Sequence, residues 1–249
     1  MVEYSDNIKA CLITGAPIYV GNVPIYSVSF RQISESPMSL YFSVIGILSL
    51  SQSEIKRRFG EKQNVENSID VLRIMYITNK QLFNQYNNVL SYIFGEPIKE
   101  FTEDGAAVFE SGFTISKDNL FDIVTVIRMR NGMYSENGDD EFSENPANDN
   151  VKQLLERRKI LRQKVASLKK QEDSDIGYTD YFSIYASISG LSLQQVSEYD
   201  LYQISNQLKR YQMHEQFDIQ LQSMMHGAKI EDDEFKNYMR QIDTRSDNE

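Results

Sequence analysis

Strand-sized patterns confined to the first half, and helix patterns almost everywhere else, predict a mainly helical protein. The expected fold is an α+β N-terminal domain, small hairpins packed with helices, followed by an all-α C-terminal domain. Three observations carry this reading. Pro17-Ile-Tyr-Val20 and Val23-Pro-Ile-Tyr26 flank Gly21-Asn22, a favourable two-residue hairpin turn. Serine, asparagine or proline stands before most apolar runs of helical period, and glycine closes them. A polar, acidic stretch from Tyr134 to Asn150 divides the chain.

The N-terminal half can be read element by element. Proline on both arms of the first hairpin suggests exposed edges, because proline donates no ladder hydrogen bond. Its second arm is expected to reach as far as Phe30. Ser36-Pro37 starts a strongly apolar helix through Leu40, Tyr41, Val44, Ile45, Ile47 and Leu48, which reads as core. Ser51-x-x-Glu54 is a capping box for a short helix. Asn67 starts a helix through Leu72 and Tyr76, and Asn79 caps its continuation, Leu82 to Phe94, which stops at Gly95-Glu96-Pro97. Ala106 to Phe109 and Phe113 to Ile115 form a second small hairpin, and Ser116 caps a helix that Gly132 ends.

These signals set the boundaries: a domain over 1–133, an acidic linker over 134–150, a basic amphipathic helix with a second linker over 151–177, and a helical domain over 178–249. The acidic linker holds six acidic residues and no basic one. Its Asp139, Asp140, Glu141 and Glu144 lack calcium-loop spacing and read as a solvated tether. Val151 to Lys170 reverses the sign, with eight basic residues against Glu156 alone. Val151, Leu154, Leu161, Val165 and Leu168 give it an apolar seam of roughly two to three heptads. Beyond it, Thr179 is expected to cap a helix to Ser189, Ser192 to Val196 a helical turn, and Tyr199 to Gln212 a long helix. Two more follow: Phe217 to Met225, and Glu231 to Ile242 with Phe235, Tyr238 and Met239 on one side.

Composition narrows the chemistry. The chain has 249 residues, enough for one large or two small domains. Its 26 basic and 36 acidic residues give a net charge of −10, which argues against broad binding of nucleic acid or anionic membranes. One cysteine, Cys11, excludes an internal disulfide, and with two histidines a Cys/His zinc site is nearly excluded. Cys11 reads as a packed, inert thiol, since no electropositive neighbours surround it. Met1 to Ala10 do not look like a signal peptide, and Leu40 to Leu50 is too short to span a bilayer, so a soluble intracellular protein is expected. There is no phosphate-binding glycine loop and no nucleophile elbow. His214 and His226 read as polar surface residues without a matching nucleophile. No enzyme, cofactor or metal is expected.

The C-terminal residues also carry a resemblance. Tyr181 to Gly190, the stretch Val196-Ser-Glu-Tyr-Asp-Leu-Tyr-Gln-Ile-Ser-Asn-Gln-Leu-Lys-Arg210, and Phe217-Asp-Ile to Gly227-Ala228 resemble small tail-assembly proteins of tailed phages infecting Gram-positive bacteria. Pro17-Ile-Tyr-Val20, the apolar leucine-serine helix and Phe121-Asp-Ile-Val124 are similar to the N-terminal part of that pattern. The resemblance implies a non-enzymatic tail assembly chaperone in the host cytoplasm. Such a protein binds the tape measure protein, keeps its long amphipathic helices soluble, and helps recruit tail tube subunits. Self-association is left open; no membrane is expected, and nucleic acid is disfavoured. The client surface is expected on the basic helix at Arg157, Arg158 and Arg162, and on an exposed apolar edge at Tyr202, Met224 and Met225. The competing expectation is a structural virion protein: a neck, connector or baseplate subunit.

Overall fold

The computed structural model of the chain describes residues 5–59, 65–133 and 177–226. Among these residues the fold is mainly helical, with two small antiparallel sheets in the N-terminal region and helices in the C-terminal region, as the sequence predicts. The acidic linker, the basic helix and the segment Glu231 to Ile242 lie outside the described residues.

Helix α1 (Asp6–Thr14) leads into the hairpin β1 (Ile18–Val20) and β2 (Val23–Ile25), paired with Tyr19 opposite Pro24. Gly21 turns the chain at φ 61°, the left-handed region the turn requires. Ile18, Val20, Val23 and Ile25 all point to one buried face, so the alternation decides which side meets the core. The second arm ends earlier than its β-prone residues suggest. Ser29 accepts from the Gln32 amide while Gln32 reaches back to the Ser29 N–H, and this capping box starts α2 (Phe30–Ser34).

Helix α3 (Met38–Leu48) buries Tyr41, Val44, Ile45 and Leu48, with Pro37 rather than Ser36 at its N-cap. The Ser51–Glu54 box opens α4 (Gln52–Phe59), and Asn67 caps α5 (Ser68–Thr78). Asn79 then caps α6 (Lys80–Phe94), which buries Phe83, Tyr86, Val89, Leu90, Ile93 and Phe94. Gly95 ends α6 at φ 81°. A Cβ there would lie 2.6 Å from the Tyr26 ring, so both backbone and space demand glycine.

The second sheet has a strand that the periodicity did not reveal. β3 (Ile98–Phe101), β4 (Ala107–Phe109) and β5 (Thr114–Ile115) run antiparallel in that order. β3 is short and mostly polar, and Asn87 anchors it by pairing with both backbone groups of Ile98. Ser116 caps α7 (Lys117–Arg130).

The C-terminal residues start α8 (Tyr178–Ser189) one residue before Thr179, with Gly177 at the cap. Ser192 caps the turn α9 (Leu193–Val196). Two helices expected over 199–212 and 217–225 are one continuous helix, α10 (Leu201–Met225). Nothing between Gln212 and Phe217 breaks it, because that stretch contains neither glycine nor proline.

Residues from both parts of the chain share one hydrophobic cluster. It runs from Leu12, Ile25, Ile45, Leu90 and Ile127 to Phe182, Val196, Leu201 and Ile204. Phe182 stacks on Phe30 at a centroid distance of 3.6 Å, and Tyr178 stacks on Phe42 at 4.4 Å. Because Phe182 is almost fully buried, Phe182→Ala should cost about 3–5 kcal/mol. Chemical denaturation should show N- and C-terminal probes losing stability together in one transition. Two separate transitions, with only the C-terminal one shifted, would contradict a shared core.

Candidate partner-binding surface

One carboxylate organises the seam between the two parts. Asp200 immediately precedes α10. Its Oδ1 accepts the Gln203 N–H at 2.8 Å, while Gln203 Oε1 accepts the Asp200 N–H at 2.9 Å, a capping box that starts the long helix. Its Oδ2 accepts from Ser27 Oγ at 2.5 Å and from Arg130 Nη1 at 3.4 Å. Arg130 also donates to the Ala16 carbonyl through Nη2. Around this point the backbone is stitched directly: the Phe30 N–H donates to Tyr199 O and the Arg31 N–H to Ser197 O, and Ser29 bridges Asp200. Gln203 Nε2 reaches the Ile13 carbonyl at 2.9 Å.

Asp200 and Arg130 are 2 % and 4 % exposed, so both charges have left water. Desolvation therefore dominates both. It pushes the Asp200 carboxyl above its usual range against the pull of Ser27, the Gln203 amide and Arg130, and it pushes the Arg130 guanidinium down. The Arg130 Nε is buried with no hydrogen-bond partner among the described residues. Beside the pair, Tyr41 donates to Asn131 Oδ1 at 2.8 Å, and burial raises its hydroxyl far above the ordinary tyrosine range. The cavity bounded by Tyr41, Arg130, Asn131 and Asp200 is only about 10 Å³. That is no larger than one water, so the seam has no room for an organic substrate.

The larger opening lies elsewhere. A groove of about 550 Å³ separates the start of α3 from α6. Ser36, Ser39 and Ser43 line one side, and Gln85, Asn88 and Tyr92 the other. Tyr92 donates to Glu35 Oε2 across one end at 3.1 Å. Among the described residues no cluster of histidine, cysteine or acidic side chains has metal-site geometry. No described helix is long and apolar enough to cross a membrane.

The predicted client residues divide. Arg157, Arg158 and Arg162 lie outside the described residues. Tyr202 is not on an exposed edge. It is 8 % exposed and belongs to the shared core, because the face of α10 carrying Leu201, Tyr202 and Ile204 packs inward. Met224 and Met225 are exposed, at 46 % and 79 %, near the far end of α10. Beyond Asn206 no described side chain of α10 is buried. At about 1.5 Å per residue, this helix is roughly 37 Å long, and its outer half shows Tyr211, Ile219, Leu221, Met224 and Met225 at the surface. His214 and His226 lie on this one stretch. His214 pairs with Asp218 at 3.2 Å one turn on, both about half exposed, and His226 Nδ1 contacts the Gln222 carbonyl. Cys11 is half-buried and packs against the core.

Sequence reading missed Asp200 as the organising residue. The signal was present, since Asp200-x-x-Gln203 fits a capping box. Placing the helix start at Tyr199 hid it. Arg130 carried no such signal. A basic residue in the last turn of a helix ordinarily answers the helix dipole in solvent.

With this geometry in place, the comparisons bear on the C-terminal part. Residues 169–243 match the family model described as the YomV second domain, a phage-associated family. The match covers under a third of the chain and includes α8, α9 and α10. The protein is thus mainly helical with a C-terminal part similar to a phage domain. No curated protein matches the chain, and no solved structure does.

Arg130→Met keeps most of the packing but leaves Asp200 as a buried carboxylate without its guanidinium. It should cost about 3–5 kcal/mol in denaturant unfolding near neutral pH, and the double variant Asp200→Asn/Arg130→Met should recover most of that loss. A proton on Asp200 favours the folded state, because its folded pKa is raised above 3.8. The stability Asp200 contributes is present below that value and declines as pH rises through the raised pKa. The double variant should lack this decline in a stability-versus-pH series.

Proposed function

We propose that this protein is a non-enzymatic phage tail assembly chaperone. It binds the tape measure protein, holds its amphipathic helices soluble, and promotes tail tube assembly in the host cytoplasm. The observation that carries the reading is the exposed apolar outer half of α10, which lies inside the stretch similar to a phage-associated domain. A tape measure protein presents long apolar helix faces before the tail tube encloses them. A helix displaying Leu221, Met224 and Met225 offers adaptable apolar surface for such a face. The net charge of −10 keeps the loaded protein soluble. Arg157, Arg158 and Arg162 supply the charged part of the same client surface.

Affinity capture from infected cells, run beside purified virions and read by mass spectrometry, tests the reading. The expected result is co-purification with the tape measure protein and absence from virions. Stoichiometric presence in virions would instead establish a neck, connector or baseplate subunit. Replacing Met224 and Met225 with Asp should reduce client capture about tenfold, or about 1.4 kcal/mol, with the unfolding midpoint unchanged. These side chains lie outside the core, so unaltered capture would remove them from the client surface.

A further inference from the structure

The groove between α3 and α6 has two polar walls over an apolar floor. Ser36, Ser39 and Ser43 stand three and four residues apart on α3, and Gln85, Asn88 and Tyr92 repeat that spacing on α6, so each helix offers one side chain per turn to the opening. The Tyr92–Glu35 hydrogen bond closes one end, and the two walls therefore run antiparallel. Between them lie Leu40, half-buried, and Val89, buried. The Gln85 and Asn88 side chains are exposed, and their amides form no hydrogen bond within the described residues. Ser43 donates to the Ser39 carbonyl, which leaves its oxygen able to accept. The lining holds one carboxylate, Glu35, and among the described residues no basic side chain.

We propose that this groove binds a short extended segment of a partner protein by its main chain, with a lysine or arginine of that segment at the Glu35 end. Serine hydroxyls and side-chain amides both donate and accept, which is what peptide N–H and C=O groups need. A helical partner pairs those groups within itself and would leave both polar walls unanswered. An extended chain carries them unpaired along both of its edges. Each wall spans about 10 Å, at about 1.5 Å per helical residue, which is the length of about three residues of extended chain. Glu35 sets the sign at its end, favouring a basic residue there and opposing an acidic segment. The groove shares no residue with the exposed end of α10, so this site does not rest on the chaperone reading.

The test screens the full chain against a library of acetylated, amidated hexapeptides and titrates the strongest binder, fluorescently labelled, by polarisation. The expected binder carries lysine or arginine at one end. Methylating its backbone nitrogens should weaken binding about tenfold per site within one central run of about three residues, and little outside it. Gln85→Ala/Asn88→Ala should weaken binding about tenfold with the unfolding midpoint unchanged, because both side chains are exposed. Glu35→Gln should remove the preference for the basic residue. Met224→Asp/Met225→Asp should bind the peptide normally; loss there would place the peptide on α10 and overturn the assignment to the groove. A library without binders, a binder that tolerates methylation throughout, or full affinity in the Gln85/Asn88 double variant would also overturn it. So would binding of neutral oligosaccharides on a glycan array in place of any peptide.

Discussion

Asp200 imposes the constraint on which the arrangement depends. One oxygen starts α10 by capping it; the other accepts from Ser27, next to the first hairpin, and from Arg130, at the end of α7. The carboxylate thus fixes the origin and direction of a 25-residue helix relative to the N-terminal sheet and helices. The ion pair is not the source of the stability. Burial penalises both charges, as the raised Asp200 and lowered Arg130 proton affinities express, so attraction mainly offsets desolvation. Its value lies in specificity: a displaced α10 would leave a buried guanidinium or carboxylate alone.

Stability comes instead from the apolar surface gathered around that point. Phe182 against Phe30, Tyr178 against Phe42, and Leu201 and Ile204 in the common cluster bury the inner faces of α8 and α10 on the N-terminal elements. Of α10, the stretch Leu201 to Leu208 is used this way. Beyond it Tyr211, Ile219, Leu221, Met224 and Met225 are exposed. The same helix is anchored at one end and carries exposed apolar side chains along the other.

Local signals were legible wherever local chemistry decides structure. Asn67, Asn79 and Ser116 cap helices where the sequence placed them, and Gly95 and Gly190 end helices in the left-handed region. The illegible parts depend on distant partners. β3 is a strand because β4 and Asn87 pair with it, not because Lys99 and Glu100 favour one. Helix α1 has a single fully buried side chain, Leu12, and so lacks a clear apolar stripe. Tyr202 looked available because an aromatic next to a helix start has no intrinsic side; its burial follows from how Asp200 orients α10. The exposed Met224 and Met225 were readable because nothing in the helix pattern called them inward.

Native-state hydrogen exchange most directly tests whether Asp200 joins the two parts into one body. The account predicts that amides of Leu201–Leu208 open with the same free energy as those of α6, while amides beyond Lys209 open at lower cost. If α8 and the whole of α10 opened together, well below the free energy of α6, the two parts would be separate folding units and the seam at Asp200 would not bind them.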